Sequence, residues 1–410
     1  AATGGKGGTG AVPTDGGGKD VFVPGGDEGV IVAYSKPAAP AIPELLVLDA
    51  GNGGKLLSHE PIGAVKGILN DPQTDIWYIF EQKGVATDPV ILHVRELNTV
   101  TGTWLEIATK SGVPVPASRI VAMNGRIAYL STSTPISPDP ATHTLTILDT
   151  TDPTKVSVLG GVAGEHRPLP GGRKQAIVAR PTGVGGTIDV AYFSATCPVA
   201  EAGEAECDVN LAAYPVDDKA VVTTTPTTKV VGKVLTSSNI QLERDSIRDA
   251  VVLTLPALVA PSVSDCSDPL TTTDLGSVQK FSPLDFAGVG QARVNYPIIS
   301  QQISGGAYDA CLDVMFVTTQ LYDRAIWTIP LGGGPLVKKC LGTGGASMLF
   351  EPRTRTLVRA PTGGGIPEFF TLGGTSIAPT LTAVTFDKLP PKFAPITMAT
   401  RHYKAACPKL

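Results

Sequence analysis

Charge is scarce in this chain. Asp, Glu, Lys and Arg make up 17% of the 410 residues, where globular chains average about 25%. That leaves too little to coat the solvent face of long helices, and 46 Gly with 35 Pro interrupt helical runs, so an α-bundle or coiled coil is excluded. Neither sign dominates. The 33 basic and 37 acidic residues give a net charge of −4, which provides no electrostatic footprint for nucleic acid or for an anionic membrane surface. Long apolar runs are missing too, so no transmembrane helix is expected and any membrane association would run through an anchor or a partner. The absence of a signal peptide fits a mature chain after its removal.

The usual catalytic signatures are also absent. There is no Gly-x-Ser-x-Gly elbow, no His-Glu-x-x-His, no phosphate loop ending in Gly-Lys-Ser/Thr and no Asp-x-Asp-x-Asp-Gly calcium loop. Gly5-Lys-Gly-Gly-Thr-Gly10 matches Gly-x-Gly-x-x-Gly in letters only, because neither a strand before it nor a helix after it is indicated. The histidines His59, His93, His143, His166 and His402 lie at least 23 positions apart, so no metal site and no cofactor is expected. His93 and His143 fall in strand patterns and read as ordinary half-buried imidazoles. Asp71 with Asp75, and Asp149 with Asp152, read as turn residues capping local backbone. No Asn-x-Ser/Thr acceptor occurs, which favours a bacterial source.

Six cysteines are present, and no two are spaced as Cys-x-x-Cys, which argues against a zinc ribbon or a thioredoxin-type pair. Disulfides in an oxidising, extracytoplasmic compartment (periplasm or cell surface) are the better reading. Cys197 and Cys207 bracket a short polar insert and are expected to pair. Cys266, Cys311, Cys340 and Cys407 allow three pairings, and spacing does not choose among them.

What the chain does have is a repeat. Residues 1–27 are glycine-rich and read as a tether or arm. Over residues 28–410 a polar turn followed by a short β-branched apolar run recurs seven times: Gly29–Tyr34, Asp75–Phe80, Gly125–Leu130, Lys174–Ala179, Asp249–Thr254, Asp313–Thr318 and Arg355–Ala360. The runs are offset by 46, 51, 49, 74, 64 and 42 positions, against about 40–50 residues for a four-stranded propeller blade. The two long intervals hold the Cys197–Cys207 insert and the polar stretch Pro261–Thr273, both expected in loops. The expected fold is a single all-β domain, a seven-bladed β-propeller of four-stranded antiparallel blades. Its C-terminal strand would join the first blade and close the ring, removing the free edge.

The segments Leu45-Leu-Val-Leu-Asp-Ala-Gly-Asn-Gly-Gly-Lys-Leu-Leu57 and Thr144-Leu-Thr-Ile-Leu-Asp149, with Lys155-Val-Ser-Val-Leu159, resemble the repeats of bacterial extracytoplasmic seven-bladed propellers of the YVTN/lactonase-like kind. The resemblance implies a fold shared by scaffolds, binders and enzymes.

The innermost strand of each blade should precede its strong run. Lys66, Arg119, Arg167 and Arg293 fall in such segments, and His166 lies beside Arg167, so cations are expected to converge near the axis as a funnel for a small anionic ligand or a partner. No catalytic residue is assigned. The leading functional expectation is a non-enzymatic interaction or scaffold subunit of a cell-surface or membrane-associated assembly, with protein partners. One alternative is a lactonase-like hydrolase at the central funnel, with His166 as base and Arg119 and Arg167 stabilising the oxyanion. Another is a carbohydrate-binding module using Trp77, Trp104 or Trp327 as a stacking platform.

Overall fold

Six of the seven repeated runs form strands buried along their whole length: Val30–Ser35, Trp77–Gln82, Arg126–Ser131, Ala250–Leu255, Val314–Thr319 and Thr356–Pro361. A strand can be dry on both faces only when a packed layer covers each of them. The computed structural model describes residues 29–36, 42–84, 88–131, 144–159, 174–180, 186–197, 205–217, 219, 222, 225–235, 238–258, 276–296, 303–319, 324–341, 343–361, 367–375, 378–384 and 395–401. The expected tether lies outside them.

The described residues form seven four-stranded antiparallel sheets and no α-helix. The first strand of each sheet abuts the first strands of its neighbours, so these seven line the axis. From the axis outward, blade 1 is Pro395–Thr400, Val30–Ser35, Glu44–Asp49 and Lys55–Pro61; blade 2 is Ala64–Asn70, Trp77–Gln82, Val90–Leu97 and Trp104–Val113. Blade 3 is Val121–Met123, Arg126–Ser131, Thr144–Asp149 and Ser157–Leu159; blade 4 is Lys174–Arg180, Thr187–Phe193, Glu206–Pro215 and Thr227–Leu235. Blade 5 is Gln241–Asp245, Ala250–Leu255, Gly276–Phe281 and Gly288–Tyr296; blade 6 is Ile303–Asp309, Val314–Thr319, Ala325–Pro330 and Val337–Cys340. Blade 7 is Gly345–Glu351, Thr356–Pro361, Glu368–Thr375 and Ala378–Val384.

The ring closes as the repeat implies, with Pro395–Thr400 pairing antiparallel to Val30–Ser35. One run was misplaced within its blade. Lys174–Arg180 is the innermost strand of blade 4, and the second strand is Thr187–Phe193, entered through Gly186 at φ 102°. The two strands are adjacent and both rich in small and β-branched residues, so composition does not separate them.

The turns between first and second strands repeat a device that sets the strand spacing. In blades 2, 5, 6 and 7 an acidic residue (Asp71, Asp245, Asp309, Glu351) accepts hydrogen bonds from backbone N–H groups two or three positions on. Four residues after each acid, Asp75, Asp249, Asp313 or Arg355 takes a positive φ of 47–62° and reverses the chain. Asp149 and Asp152 likewise cap the backbone at Thr151 and Thr154. The Asp pairs are turn residues, as expected.

Seven apolar clusters hold the blades together, one at each seam. Between blades 2 and 3, for example, Phe80 meets Tyr129 edge-to-face with ring centroids 5.3 Å apart. Approach is tightest on the axial side of that seam, where a Cβ on Gly67 would lie 2.2 Å from Ile120 Cδ1. We predict that Gly67→Ala lowers stability by roughly 1–3 kcal/mol and that adding Ile120→Val, which removes the clashing methyl, restores part of it. Equal melting of Gly67→Ala and the parent protein would contradict this packing.

Polar links support the seam between blades 1 and 2. His93 Nε2 lies 2.8 Å from Glu81 Oε2 and its Nδ1 lies 3.1 Å from Glu106 Oε1, while the Gly63 N–H donates to Glu81 Oε1 at 2.7 Å. Arg95 bonds Glu106 of its own blade and Glu60 of blade 1. Burial pushes the Glu81 carboxyl up, but the hydrogen bonds from His93 and Gly63 and the nearby positive charge outweigh it, and its pKa falls below the ordinary value. Folding therefore favours the charged form. Its stabilisation is complete above the unfolded pKa and is lost as pH falls through the lower folded value. Denaturant unfolding between about pH 5 and pH 3 should show a shallower loss of stability for Glu81→Gln than for the parent; identical slopes would exclude the linkage.

Candidate functional site

In an antiparallel blade the connections alternate between the two ends, so each face of the ring collects one class of loop. The face with the first-to-second turns has short connections. The opposite face collects the second-to-third loops and the links between blades, including the four longest connections, 132–143, 160–173, 194–205 and 256–275. Long loops on a rigid frame are where binding residues concentrate. The Cys197–Cys207 disulfide forms as expected in one of them, with Cα atoms 5.3 Å apart. Cys311 and Cys340 are disulfide-bonded as well, and no described cysteine is free. The expected loop at 261–273 lies outside the described residues.

At this face the innermost strands share a distortion. Five of the seven carry a one-residue register shift within their first three positions, leaving Lys66, Gln175, Ser304, Ala346 and Ile396 as the extra residues. Each shift falls opposite the same two rungs of the second strand: Phe80 and Glu81, Ala191 and Tyr192, Thr318 and Thr319, Ala360 and Pro361, Tyr34 and Ser35. Bulges re-aim residues without ending the pairing, so one level of the channel mouth is ringed by them. Lys66 is exposed there and has no ion-pair partner among the described residues.

Arg119 precedes the innermost strand of blade 3, in a stretch held to the second strand by the Ala117 N–H donating to the Leu130 carbonyl and the Leu130 N–H donating to Ser118 Oγ. Its Nη1 donates to Glu243 Oε2 at 2.6 Å. Glu243 lies on the innermost strand of blade 5, so this ion pair skips blade 4 and runs past it on the axial side. The Glu243 carboxylate raises the Arg119 pKa above its ordinary value.

Two of the five expected funnel residues, Lys66 and Arg119, are thus placed at the mouth. Arg293 is not: it is exposed on Gly288–Tyr296, the outermost strand of blade 5, with its Nε donating to Asn295 Oδ1 at 2.9 Å. The 20-residue connection within blade 5 displaces that blade's outer strands along the sequence, and the innermost strand of blade 6 is Ile303–Asp309. His166 and Arg167 lie outside the described residues. Glu243 was not anticipated, although Gln241–Asp245 directly precedes the run beginning at Asp249 and satisfies the same rule that found Lys66.

The tryptophans offer no stacking platform. Trp77 and Trp327 are buried, and Trp104 packs edge-on against Trp77 at 5.9 Å with the Arg95 guanidinium over its ring. A groove of about 310 Å³ between blades 6 and 7 is mostly apolar. Its polar groups are engaged: Lys339 donates to the Leu381 carbonyl, and Glu368 is held by the fully buried Arg359. The axial mouth is therefore the better candidate.

No protein-family model matches the sequence, and no curated protein is detectably similar to it. Solved structures do match in three dimensions. A propeller from Bacteroides uniformis, provisionally named a 6-phosphogluconolactonase, superposes with a TM-score of 0.59 at 12% identity over 92% of this chain and 100% of its own. A second, from Bacteroides fragilis and provisionally named in the same way, gives 0.57 at 10% identity over 91% of this chain and 98% of its own. At these identities the match carries the architecture, and the expected seven-bladed propeller fold stands. The expectation of a non-enzymatic scaffold is corrected, because both end-to-end counterparts are named for a hydrolytic activity and none of the observed geometry calls for a scaffold.

Proposed function

We propose that the protein is a lactonase-like hydrolase acting at the long-loop mouth of its axial channel. The observation that carries this reading is the Arg119–Glu243 pair, which joins blades 3 and 5 on the axial side of blade 4. It is supported by the end-to-end likeness to two propellers named as 6-phosphogluconolactonases. An extracytoplasmic location is compatible with the disulfides, and no described helix is long and apolar enough to cross a membrane.

The chemistry asks for a base and a cation. Water attacks the lactone carbonyl carbon and loses a proton to the base; the ring C–O bond then breaks and its oxygen takes a proton, giving the open hydroxy acid. A guanidinium at the axis stabilises the charge that builds on the carbonyl oxygen, an interaction stronger in the transition state than in the ground state. Arg119 takes this role here, and His166 is assigned as the base.

The full-length protein should accelerate proton release from 6-phosphogluconolactone or unphosphorylated gluconolactone above spontaneous hydrolysis at constant pH. Arg119→Ala should lower kcat by about 10²-fold, and His166→Ala should also reduce it. No acceleration of either lactone by the intact protein would overturn the assignment.

A further inference from the structure

We propose that Glu243 is an internal competitor for the anion site of the channel mouth: it occupies Arg119 when no substrate is bound and gives way to the substrate oxygen on which negative charge develops. The inference rests on the hydrolase reading for its substrate, though the site is argued from geometry alone.

Two cations come from the adjoining blades 2 and 3. Gly67, next to Lys66, packs against Ile120, next to Arg119, so closely that a Cβ would not fit between them. Lys66 is the bulged, exposed residue of blade 2, and Arg119 enters from blade 3 with about half of its side chain open, at 51% exposure. Among the described residues the Arg119 guanidinium is met by one carboxylate, Glu243 of blade 5.

That carboxylate is poorly suited to a permanent structural role. The described contact uses Nη1 alone, and the Arg119 guanidinium makes no other hydrogen bond among the described residues, so half of the fork is unused. Structural ion pairs elsewhere in this protein differ. Arg180 grips Asp189 through Nε and Nη2 at 2.5 and 2.9 Å, with both side chains buried. The contact uses a single guanidinium nitrogen, and with Arg119 51% and Glu243 13% exposed the guanidinium keeps an open side at which an incoming anion can compete. A phosphate or carboxylate from solution can bind the guanidinium bidentately and draw on Lys66 as well, which Glu243 is not seen to do. Glu243 thus marks the place of an anionic group and sets a threshold against weak anions.

Titration calorimetry with inorganic phosphate at low ionic strength, on the full chain, tests this. Glu243→Gln should bind phosphate at least about fivefold more tightly than the parent, since a fully exposed ion pair is worth up to about that factor and Glu243 is largely buried, and Arg119→Ala should bind it at least that much more weakly. Unchanged or weaker binding by Glu243→Gln would overturn the proposal, as would phosphate binding indifferent to Arg119→Ala. If Glu243→Gln does not fold, Lys66→Gln carries the test in its place: several-fold weaker phosphate binding supports the site and unchanged affinity overturns it. Failure of the two readings is distinguishable. Tighter phosphate binding by a protein that opens no lactone keeps the anion site and removes the enzyme, whereas lactone hydrolysis with phosphate affinity unmoved by Glu243→Gln does the reverse.

Discussion

Closure of the axial ring is the constraint from which the rest of the structure follows. Pro395–Thr400 supplies the innermost strand of the blade that Val30–Ser35 begins, and it also borders the innermost strands of blades 2 and 7. Without that strand, Val30–Ser35 would be an open edge of a wholly buried β-branched segment, a template for association with other chains. With it, every second strand lies between two layers, and each of the seven seams contains its own apolar cluster.

A closed ring also decides where chemistry can sit. Its seams are dry and filled, and its short-turn face is dense with internal pairs: Asp245, Lys280, Tyr308 and Asp313 bond one another there, and Arg401 bonds Asp75. Burial and the two neighbouring carboxylates push the Tyr308 hydroxyl far up, so it stays a neutral donor within that cluster. Such a network rigidifies the turns and leaves few groups unspent. The long-loop face is different. The bulges there interrupt an otherwise regular lattice at one level, and the cations Lys66 and Arg119 are exposed.

The fold was legible because blade spacing, turn chemistry and double-sided burial all repeat, and each repetition reinforces the others. The site was legible only in part. Lys66 and Arg119 could be placed because they stand just before a strong run in blades without insertions. Arg293 was misplaced because a 20-residue connection shifts the phase of blade 5, so that a Val-Asn-Tyr edge strand stood where an innermost strand was expected. Glu243 was overlooked because an acid beside Arg244 and Asp245 looks like a solvated charge run until the ring carries it to Arg119. Register shifts leave no mark in composition at all, since the bulged residues Lys66, Gln175, Ser304, Ala346 and Ile396 share no chemistry. Only the pairing reveals them.

The claim that function resides at the axial mouth is tested most directly by a crystal structure with a cyclic phosphonate analogue of the tetrahedral intermediate of lactone hydrolysis. The account predicts the analogue at the long-loop end of the channel, with its anionic group on Arg119 and Glu243 displaced from the guanidinium. An analogue seated in the groove between blades 6 and 7 or on the short-turn face, with the Arg119–Glu243 bond intact, would contradict it.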